Sequence, residues 1–461
     1  MNRADPLPKA VARWTLIMSI SASSLSFIDG SILNVALPAI RETTRAGAAE
    51  VQWVLNAFTL PLAALILLGG ALGDHYGRRR WLVIGTALFG AASVLCALSG
   101  TLPALIAGRA LQGIGAALLL PNSLALLNGA FDGEARGQAV GTWAAAGAIS
   151  ASIAPLLGGW LVDHVGWPSI FWINVPLCLA AIAIALVKVP ESADPGQARL
   201  DGTGAALATL GFGAATYGLT LWSDQFTFGP TSAASLAVGL ALIFAFLLVE
   251  HRKKARAMVP LDLFANRCFS ALNLMTFLLY GAFGGSMLLI PFVLIEAGDY
   301  SPVEAGLSLL PLSILLGLVS PLMGRLATRI GPRLPLTVGP IIVGAGLLLA
   351  TRIGQDQSYW THVFPAAATL ALGMTLAVAP LTSTILGSVD ARHTGMVSGL
   401  NSALSRLGGL IAVALMGTVL GASGQALLDA FSATMLATAA AAALGGLAAW
   451  IGLAGTKGAD A

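Results

Sequence analysis

The sequence predicts an all-α polytopic membrane protein, and three observations carry that prediction. Of its 461 residues, 57% are hydrophobic and only 10% are charged, with a mean hydropathy of +0.84. A soluble domain carries about 25% charged residues, because its surface faces water. Apolar stretches recur along the chain, each near the ~20 residues that a helix needs to cross a bilayer. The 54 glycines allow such helices to approach one another closely.

Apolar stretches of this length predict fourteen spans. The first follows a short basic N-terminus and is too long for the hydrophobic core of a signal peptide. Pro and Gly interrupt the pattern between residues 334 and 387. The predicted spans lie near residues 14–40, 51–73, 81–100, 102–126, 137–162, 168–189, 203–222, 231–250, 268–295, 303–324, 334–352, 362–387, 394–420 and 427–452.

The basic residues between the spans predict the orientation. With fourteen spans, about 19 of the Lys and Arg residues lie on the side of the N-terminus and about three on the other side. Cytoplasmic loops carry such an excess, so we expect a cytoplasmic (inner) membrane protein with both termini in the cytoplasm. The net charge of +3 is too small to indicate a nucleic-acid partner, and no nucleic-acid-binding motif is present.

Two loops indicate an internal repeat. Residues 70–80 read GALGDHYGRRR after the second span, and residues 324–333 read GRLATRIGPR after the tenth. Such a repeat is typical of duplicated transporters. The predicted organisation is therefore a six-helix bundle at 1–190, two inserted helices with a basic linker at 191–267, and a six-helix bundle at 268–461.

These segments resemble the major facilitator superfamily, and within it the fourteen-span drug:proton antiporters. The loop at 70–80 is similar to that superfamily's signature GxLaDrxGrk. Residues 109–115 (RALQGIG) resemble its RxxQGxG motif, and residues 28–38 (IDGSILNVALP) resemble LDxTIVNVALP. Residues 154–159 (APLLGG) are similar to the antiporter motif GPxxGG, with alanine in place of its first glycine. Residues 398–409 also fit, so the resemblance implies the superfamily's fold and proton-coupled export.

Asp29 is the only acidic residue well inside a predicted span. An ionisable group at that depth costs several kcal/mol, which favours a functional role over a carboxylate that merely pairs with a neighbour. Arg109 lies at a similar depth, roughly 5 Å from the midplane, so the two side chains can pair. Gln112 shares a helix face with Arg109. The resemblance implies that Arg109 takes part in proton coupling; the alternative is an arginine bonded to backbone carbonyls.

Further polar groups within the spans are candidates for the substrate path. Asn34 follows Asp29 along the first span, and Arg406 falls near the middle of the thirteenth, where it either lines a cavity or pins its helix. Four more amides are either cavity groups or interhelical hydrogen bonds. They are Gln52, Asn56, Asn122 and Asn401.

Two motifs predict moving contacts between helices. In the signature loop, Asp74 and its neighbouring arginines are expected to pair across helices and hold a cytoplasmic gate; anchoring by positive charge is the alternative for Arg79 and Arg80. The predicted gate residues are Gly70, Asp74, Gly77, Arg78 and Arg79. In the antiporter motif, Pro155 removes a backbone donor and Gly158 and Gly159 leave a flat face, which predicts a helix that bends and packs tightly.

The sequence thus favours a secondary transporter that exports hydrophobic drugs or metabolites, cationic ones included, with Asp29 and Arg109 coupling transport to protons. A proton symporter or facilitator for a small nutrient, and a non-transporting sensor or scaffold, are the alternatives. The sequence contains no Walker loop, no metal-ligand cluster and no catalytic constellation, so we expect no enzyme, metal or cofactor. The expected partners are the substrate, protons and the lipid bilayer, with a functional monomer.

Overall fold

A computed structural model describes residues 8–131, 133–193, 201–225, 227–253, 257, 259, 261–354, 358–388 and 394–454. Seventeen α-helices make up most of this described part. They are α1 (Lys9–Thr44), α2 (Ala48–Tyr76), α3 (Arg78–Ala97), α4 (Leu102–Ala130), α5 (Gly133–His164), α6 (Ser169–Trp172), α7 (Asn174–Lys188), α8 (Gly202–Gln225), α9 (Pro230–Lys253), α10 (Arg267–Glu296), α11 (Pro302–Ser308), α12 (Leu310–Ile330), α13 (Arg333–Ala350), α14 (Phe364–Gly387), α15 (Thr394–Ala414), α16 (Gly417–Gly421) and α17 (Gly424–Gly452). A 3-10 turn covers Leu261–Ala265 and a π turn covers Tyr359–Val363.

The helices bear out an all-α membrane protein. Among the described residues, eleven helical segments are long and apolar enough to cross a membrane. The long helices α5, α12 and α15 coincide with the other three predicted spans. The count of fourteen spans itself stays a prediction.

Three predicted spans are interrupted helices rather than continuous ones. The span near 168–189 is divided between α6 and α7 at Ile173, and the span near 303–324 is divided between α11 and α12 at Leu309. In both cases a proline follows within three residues, Pro176 and Pro311, and a proline lacks the N–H that would continue the helix. The span near 394–420 is divided between α15 and α16.

The two ends of the bundle are distinguished by the course of the chain. At one end, which we call basal, α1 begins beside the start of α3 and the end of α7. At the same end of the second half, Gly452 of α17 lies against Arg267 and Ala271 at the start of α10. The opposite end, where α1 and α10 finish, is called distal.

The largest apolar core joins the two halves of the chain near the distal end. It contains Ile32 and Leu37 from the distal half of α1, together with Leu289 and Val293 from the distal half of α10. A smaller buried cluster lies between α1, α2, α3, α4 and α7, with Ala403 of α15 at its edge. The halves of the molecule are thus packed into one body that is most continuous at the distal end.

Candidate transport site

Asp29 of α1 and Arg109 of α4 form a buried ion pair. The Arg109 Nη1 donates to Oδ2 of Asp29 at 2.5 Å, and both side chains are only 1% exposed. The sequence placed Asp29 and Arg109 at similar depth, and in the structure the two side chains are in contact. A buried charge without a partner is strongly unfavourable, so the two opposite charges stabilise one another at this place.

Arg109 is held from three sides besides Asp29. Its Nε donates to the carbonyl oxygen of Val54 on α2 at 3.1 Å, and its Nη1 also donates to Oε1 of Gln112 at 2.8 Å. The ring of Phe58 lies 4.5 Å from the guanidinium carbon, in cation–π distance. Arg109 thus bonds a backbone carbonyl as well as pairing with the acid, and its role in proton coupling stays a prediction.

Gln112 extends the ion pair into a network that reaches α3 and α7. Its Nε2 donates to Oδ1 of Asp29 at 3.3 Å and to Oγ of Ser93 at 2.8 Å. Asn174 of α7 donates to the same Ser93 oxygen at 3.4 Å, and the Cys96 thiol lies 3.5 Å from Oε1 of Gln112. Ser93, Asn174 and Phe58 were not singled out from the sequence; only polar residues in apolar spans could have indicated the first two.

Glycines of the RxxQGxG segment explain why this network is enclosed. A methyl group on Gly113 would lie 2.2 Å from the carbonyl oxygen of Phe58, so α4 and α2 meet backbone to backbone. On another face, a methyl group on Gly115 would lie 2.7 Å from the carbonyl oxygen of Gly85 on α3. This close approach, which only glycine permits, places Arg109 in the seam between three helices.

Asn34 and Arg406 lie outside this network. Asn34 is half-buried and forms no hydrogen bond with any residue that the structure describes. Arg406 is also half-buried, and in the described part of the chain it has neither a hydrogen bond nor an ion pair. Gly30, one helical turn before Asn34, is exposed and has open space where a side chain would stand. Gly30 follows Asp29 in the sequence, so open space lies on a neighbouring face of α1 while the ion pair itself is buried.

Three of the other amides form interhelical hydrogen bonds. Asn122 of α4 donates to the carbonyl of Gly69 on α2 at 3.0 Å, and Asn401 of α15 accepts from Thr276 of α10 at 2.7 Å. With its amide turned to match its neighbours, Gln52 of α2 donates to Ala414 and accepts from the Gly417 N–H at 2.7 Å. Asn56 is the exception, since neither amide atom of this buried side chain has a hydrogen-bond partner among the described residues.

The signature loop, residues 70–80, forms hydrogen bonds with residues of its own half of the molecule. Asp74 of α2 accepts from Nε of Arg78 on α3 at 2.7 Å. Glu191, just after α7, accepts from the backbone N–H groups of Arg79 and Arg80 at 2.9 and 3.0 Å. Gly77 has φ of +113°, and a methyl group there would lie 2.8 Å from the Glu191 carboxyl carbon. Glu191 thus caps α3, a role that the sequence analysis missed.

The antiporter motif closes the distal end. A methyl group on Gly159 of α5 would lie 2.5 Å from the carbonyl oxygen of Pro302, and one on Gly306 would lie 2.6 Å from that of Pro155. Gly158 faces α1, where a methyl group would lie 2.4 Å from a side-chain carbon of Ile32. The flat face expected from this motif therefore packs directly against α1 and against α11 of the second half.

Long apolar helices in two halves that pack together at one end, with an ion pair buried among the helices of the first half, define a polytopic membrane transporter. Residues 20–413 match the family model of the Major Facilitator Superfamily, and the chain belongs to that family. It is 34% identical over 436 residues to multidrug resistance protein Stp of Mycobacterium tuberculosis (strain CDC 1551 / Oshkosh), covering 93% of this chain and 78% of that protein. It is 33% identical to the methylenomycin A resistance protein of Bacillus subtilis (strain 168), covering 94% and 93%.

A solved structure shares the fold. The crystal structure of an auto-inhibited POT family peptide transporter superimposes with a TM-score of 0.70, at 18% identity, over 96% of this chain and 97% of that one. At this identity the similarity concerns the fold alone. The chain belongs to a family of transporters, which agrees with the expectation that it moves small molecules and is not an enzyme.

Proposed function

We propose that this protein exports hydrophobic drugs or metabolites from the cytoplasm in exchange for protons. The names of its relatives, a multidrug resistance protein and a methylenomycin A resistance protein, support a drug as the substrate. The excess of basic residues supports placing the basal end in the cytoplasm of a fourteen-span, inner-membrane protein. The bundles at 1–190 and 268–461 would rock about the substrate as a monomer, with the inserted helices beside them.

The observation that carries this proposal is the buried pair of Asp29 and Arg109. Protonation of Asp29 removes the negative charge that Arg109 faces, leaving the guanidinium to Val54 and Gln112. The two protonation states therefore differ in how strongly α1 is bound to α4, and such a difference lets a proton bias a two-state equilibrium. No other acidic residue lies near the middle of a long described helix.

Alternating access requires two states, each closed at one end of the molecule. The closed distal end supports the state in which the substrate path is closed to the outside. The Gly159 and Gly306 contacts hold α5 against α11 on the side opposite the proposed cytoplasm. In this arrangement the ionised Asp29 has given its proton to the cytoplasm, and drug enters from the basal side. Opening the distal contacts would expose the path to the outside, where Asp29 takes up the next proton as drug leaves.

Arg406 and Asn34 are proposed as substrate-facing groups. Each is half-buried without a partner in the described chain, so each has hydrogen-bonding capacity available to a ligand. The open space beside Gly30 supports a path that runs along this face of α1.

The proposal is tested by reconstituting the protein in proteoliposomes and imposing a pH gradient. Methylenomycin A and the dye rhodamine 123 serve as probes for wild type, Asp29→Asn and Asp163→Asn, the last removing an exposed acid at the end of α5. We expect the gradient to drive probe movement by wild type and Asp163→Asn but not by Asp29→Asn. Gradient-driven movement at equal rates by all three proteins would refute coupling through Asp29.

A further inference from the structure

Two buried carboxylates lie at the basal ends of the inserted helices, away from the Asp29 network. Asp201 immediately precedes α8 and is 4% exposed, and Glu250 lies in the last turn of α9 and is 1% exposed. Carboxylates are almost never buried to this extent unless their charge is compensated. The transport mechanism above makes no use of either group.

One oxygen of each carboxylate is satisfied. Oδ1 of Asp201 accepts from the Lys253 ammonium and from the Gly204 N–H, the latter at 2.6 Å. Oε2 of Glu250 accepts from the backbone N–H of Val259 at 2.5 Å. The second bond ties the start of the linker between the two halves to the end of α9.

The remaining two oxygens are buried and have no hydrogen-bond partner among the described residues. They are Oδ2 of Asp201 and Oε1 of Glu250. Both lie next to Gly204, where a methyl group would be 3.0 Å from the first and 2.7 Å from the second. An unmatched buried acceptor costs about 1–3 kcal/mol, and more when it is charged. One hydrogen atom between these two oxygens would supply the donor that both of them lack.

The charges at this place are out of balance as well. Among the residues that the structure describes, the two carboxylates face one cation, Lys253, so that one negative charge has no described counter-charge when both are ionised. His251 and Arg252 in the same turn of α9 are exposed, as is Asp262 in the linker. In the described part of the chain, Lys253 is therefore the one charged group in contact with the pair.

We propose that Asp201 and Glu250 form a second proton-binding site, in which Oε1 of Glu250 carries a proton and donates it to Oδ2 of Asp201. The proton comes from the solvent at the basal end, and no other bond forms or breaks. It supplies the missing donor for both oxygens and reduces the charge of the site to that of one Asp–Lys pair. Two carboxylates whose unpaired oxygens lie beside the same residue repel one another when both are ionised, which favours holding one proton in common.

The contacts of Asp201 show which partner stays ionised. Burial alone would raise the pKa of Asp201, but hydrogen bonds from Lys253 and the Gly204 amide outweigh it and hold that pKa below its usual range. In the described part of the chain, Glu250 forms no ion pair and accepts one hydrogen bond, from the Val259 N–H. The proton therefore resides on Glu250.

The site connects the pH at the basal end with the position of the linker. When the proton leaves, two like charges remain buried beside one lysine, and Glu250 must turn away to reach water. Turning away releases the Val259 N–H, and with it the contact between α9 and the linker that leads into α10. The linker is thus held at lower pH and freed as the pH rises.

Infrared spectroscopy of the purified protein tests the shared proton. Asp29→Asn is used as the background, so that the acid of the ion pair does not contribute to the protonated-carboxyl band. We expect that band at neutral pH in the background protein and with Asp262→Asn added, and its loss with Glu250→Gln or Asp201→Asn added. Each amide supplies the missing N–H donor, so folding should survive; if one variant fails to fold, the other decides. A band that persists in a folded variant overturns the proposal.

Hydrogen exchange of the linker provides an independent readout in the otherwise wild-type chain. After correction for intrinsic exchange, we expect protection of the peptide containing Val259 to fall about tenfold or more between about pH 5 and about pH 9. Glu250→Gln should keep its protection across that range. Protection that changes equally in both proteins, or in neither, contradicts the proposal. Neither readout requires transport, so the result is independent of the function proposed above.

Discussion

Gly306 of α11 lies so close to Pro155 of α5 that a methyl group would stand 2.6 Å from the Pro155 carbonyl oxygen. Because the obstructing atom belongs to the backbone, one of the two helices must move to admit any side chain. The contact joins the two halves of the molecule at the distal end. Only glycine allows this end to close fully.

Gly306→Ala should therefore favour a distal-open arrangement. The measurement is the labelling rate of a cysteine at Val35, which is fully buried behind Gly158, by a membrane-impermeant maleimide in an otherwise cysteine-free protein. We expect faster labelling from the distal side. Gly141→Ala is the matched control, because nothing lies within 4 Å of a methyl group there. Equal labelling in both variants would show that the contact does not control the distal end.

Glu191→Ala should destabilise the protein. Its carboxylate accepts two backbone N–H groups at the start of α3, where a helix has unsatisfied donors and a partial positive charge. The loss of a cap costs about 1 kcal/mol. Thermal unfolding in detergent should show a lower Tm than for Glu42→Ala, which removes an exposed acid at the end of α1. A Tm equal to that of the control would contradict the capping role.

Arg406→Met should raise the Tm while reducing transport. A cation inside an apolar helix without a partner is expensive, so an apolar side chain of similar length relieves that cost. If the arginine contacts substrate, the same change removes that contact. Thermal unfolding and proteoliposome uptake measure the two effects, with Arg352→Met as an exposed control. A variant with a lowered Tm and normal uptake would indicate that Arg406 merely pins its helix.

The membrane-spanning architecture and the ion pair follow from local features of the sequence. Asp29 and Arg109 stand out because charge is rare in long apolar stretches, and helix rise alone places them at similar depth. The partners Ser93, Asn174 and Val54 depend on how five helices pack, which no local pattern encodes. Glu191 was missed for the same reason, since its role depends on a loop more than a hundred residues earlier in the chain.

The positions at which helices are interrupted could not be predicted from the sequence either. The break at Leu309 coincides with Pro311, yet Pro38, Pro61 and Pro121 lie inside continuous helices. Neighbouring helices compensate for a missing N–H in one place and not in another, so proline alone does not locate a break. The open space beside Gly30 likewise depends on packing and is invisible in the sequence.

The central claim, that Asp29 carries the proton exchanged for drug, is tested most directly by the pH dependence of drug binding. The affinity of the purified protein for a transported probe is measured from about pH 5 to about pH 8 for wild type and Asp29→Asn. If proton and drug exclude one another, wild-type affinity falls as the pH falls, while Asp29→Asn binds with the same affinity throughout. An Asp29→Asn protein that retains the wild-type pH dependence would contradict the account.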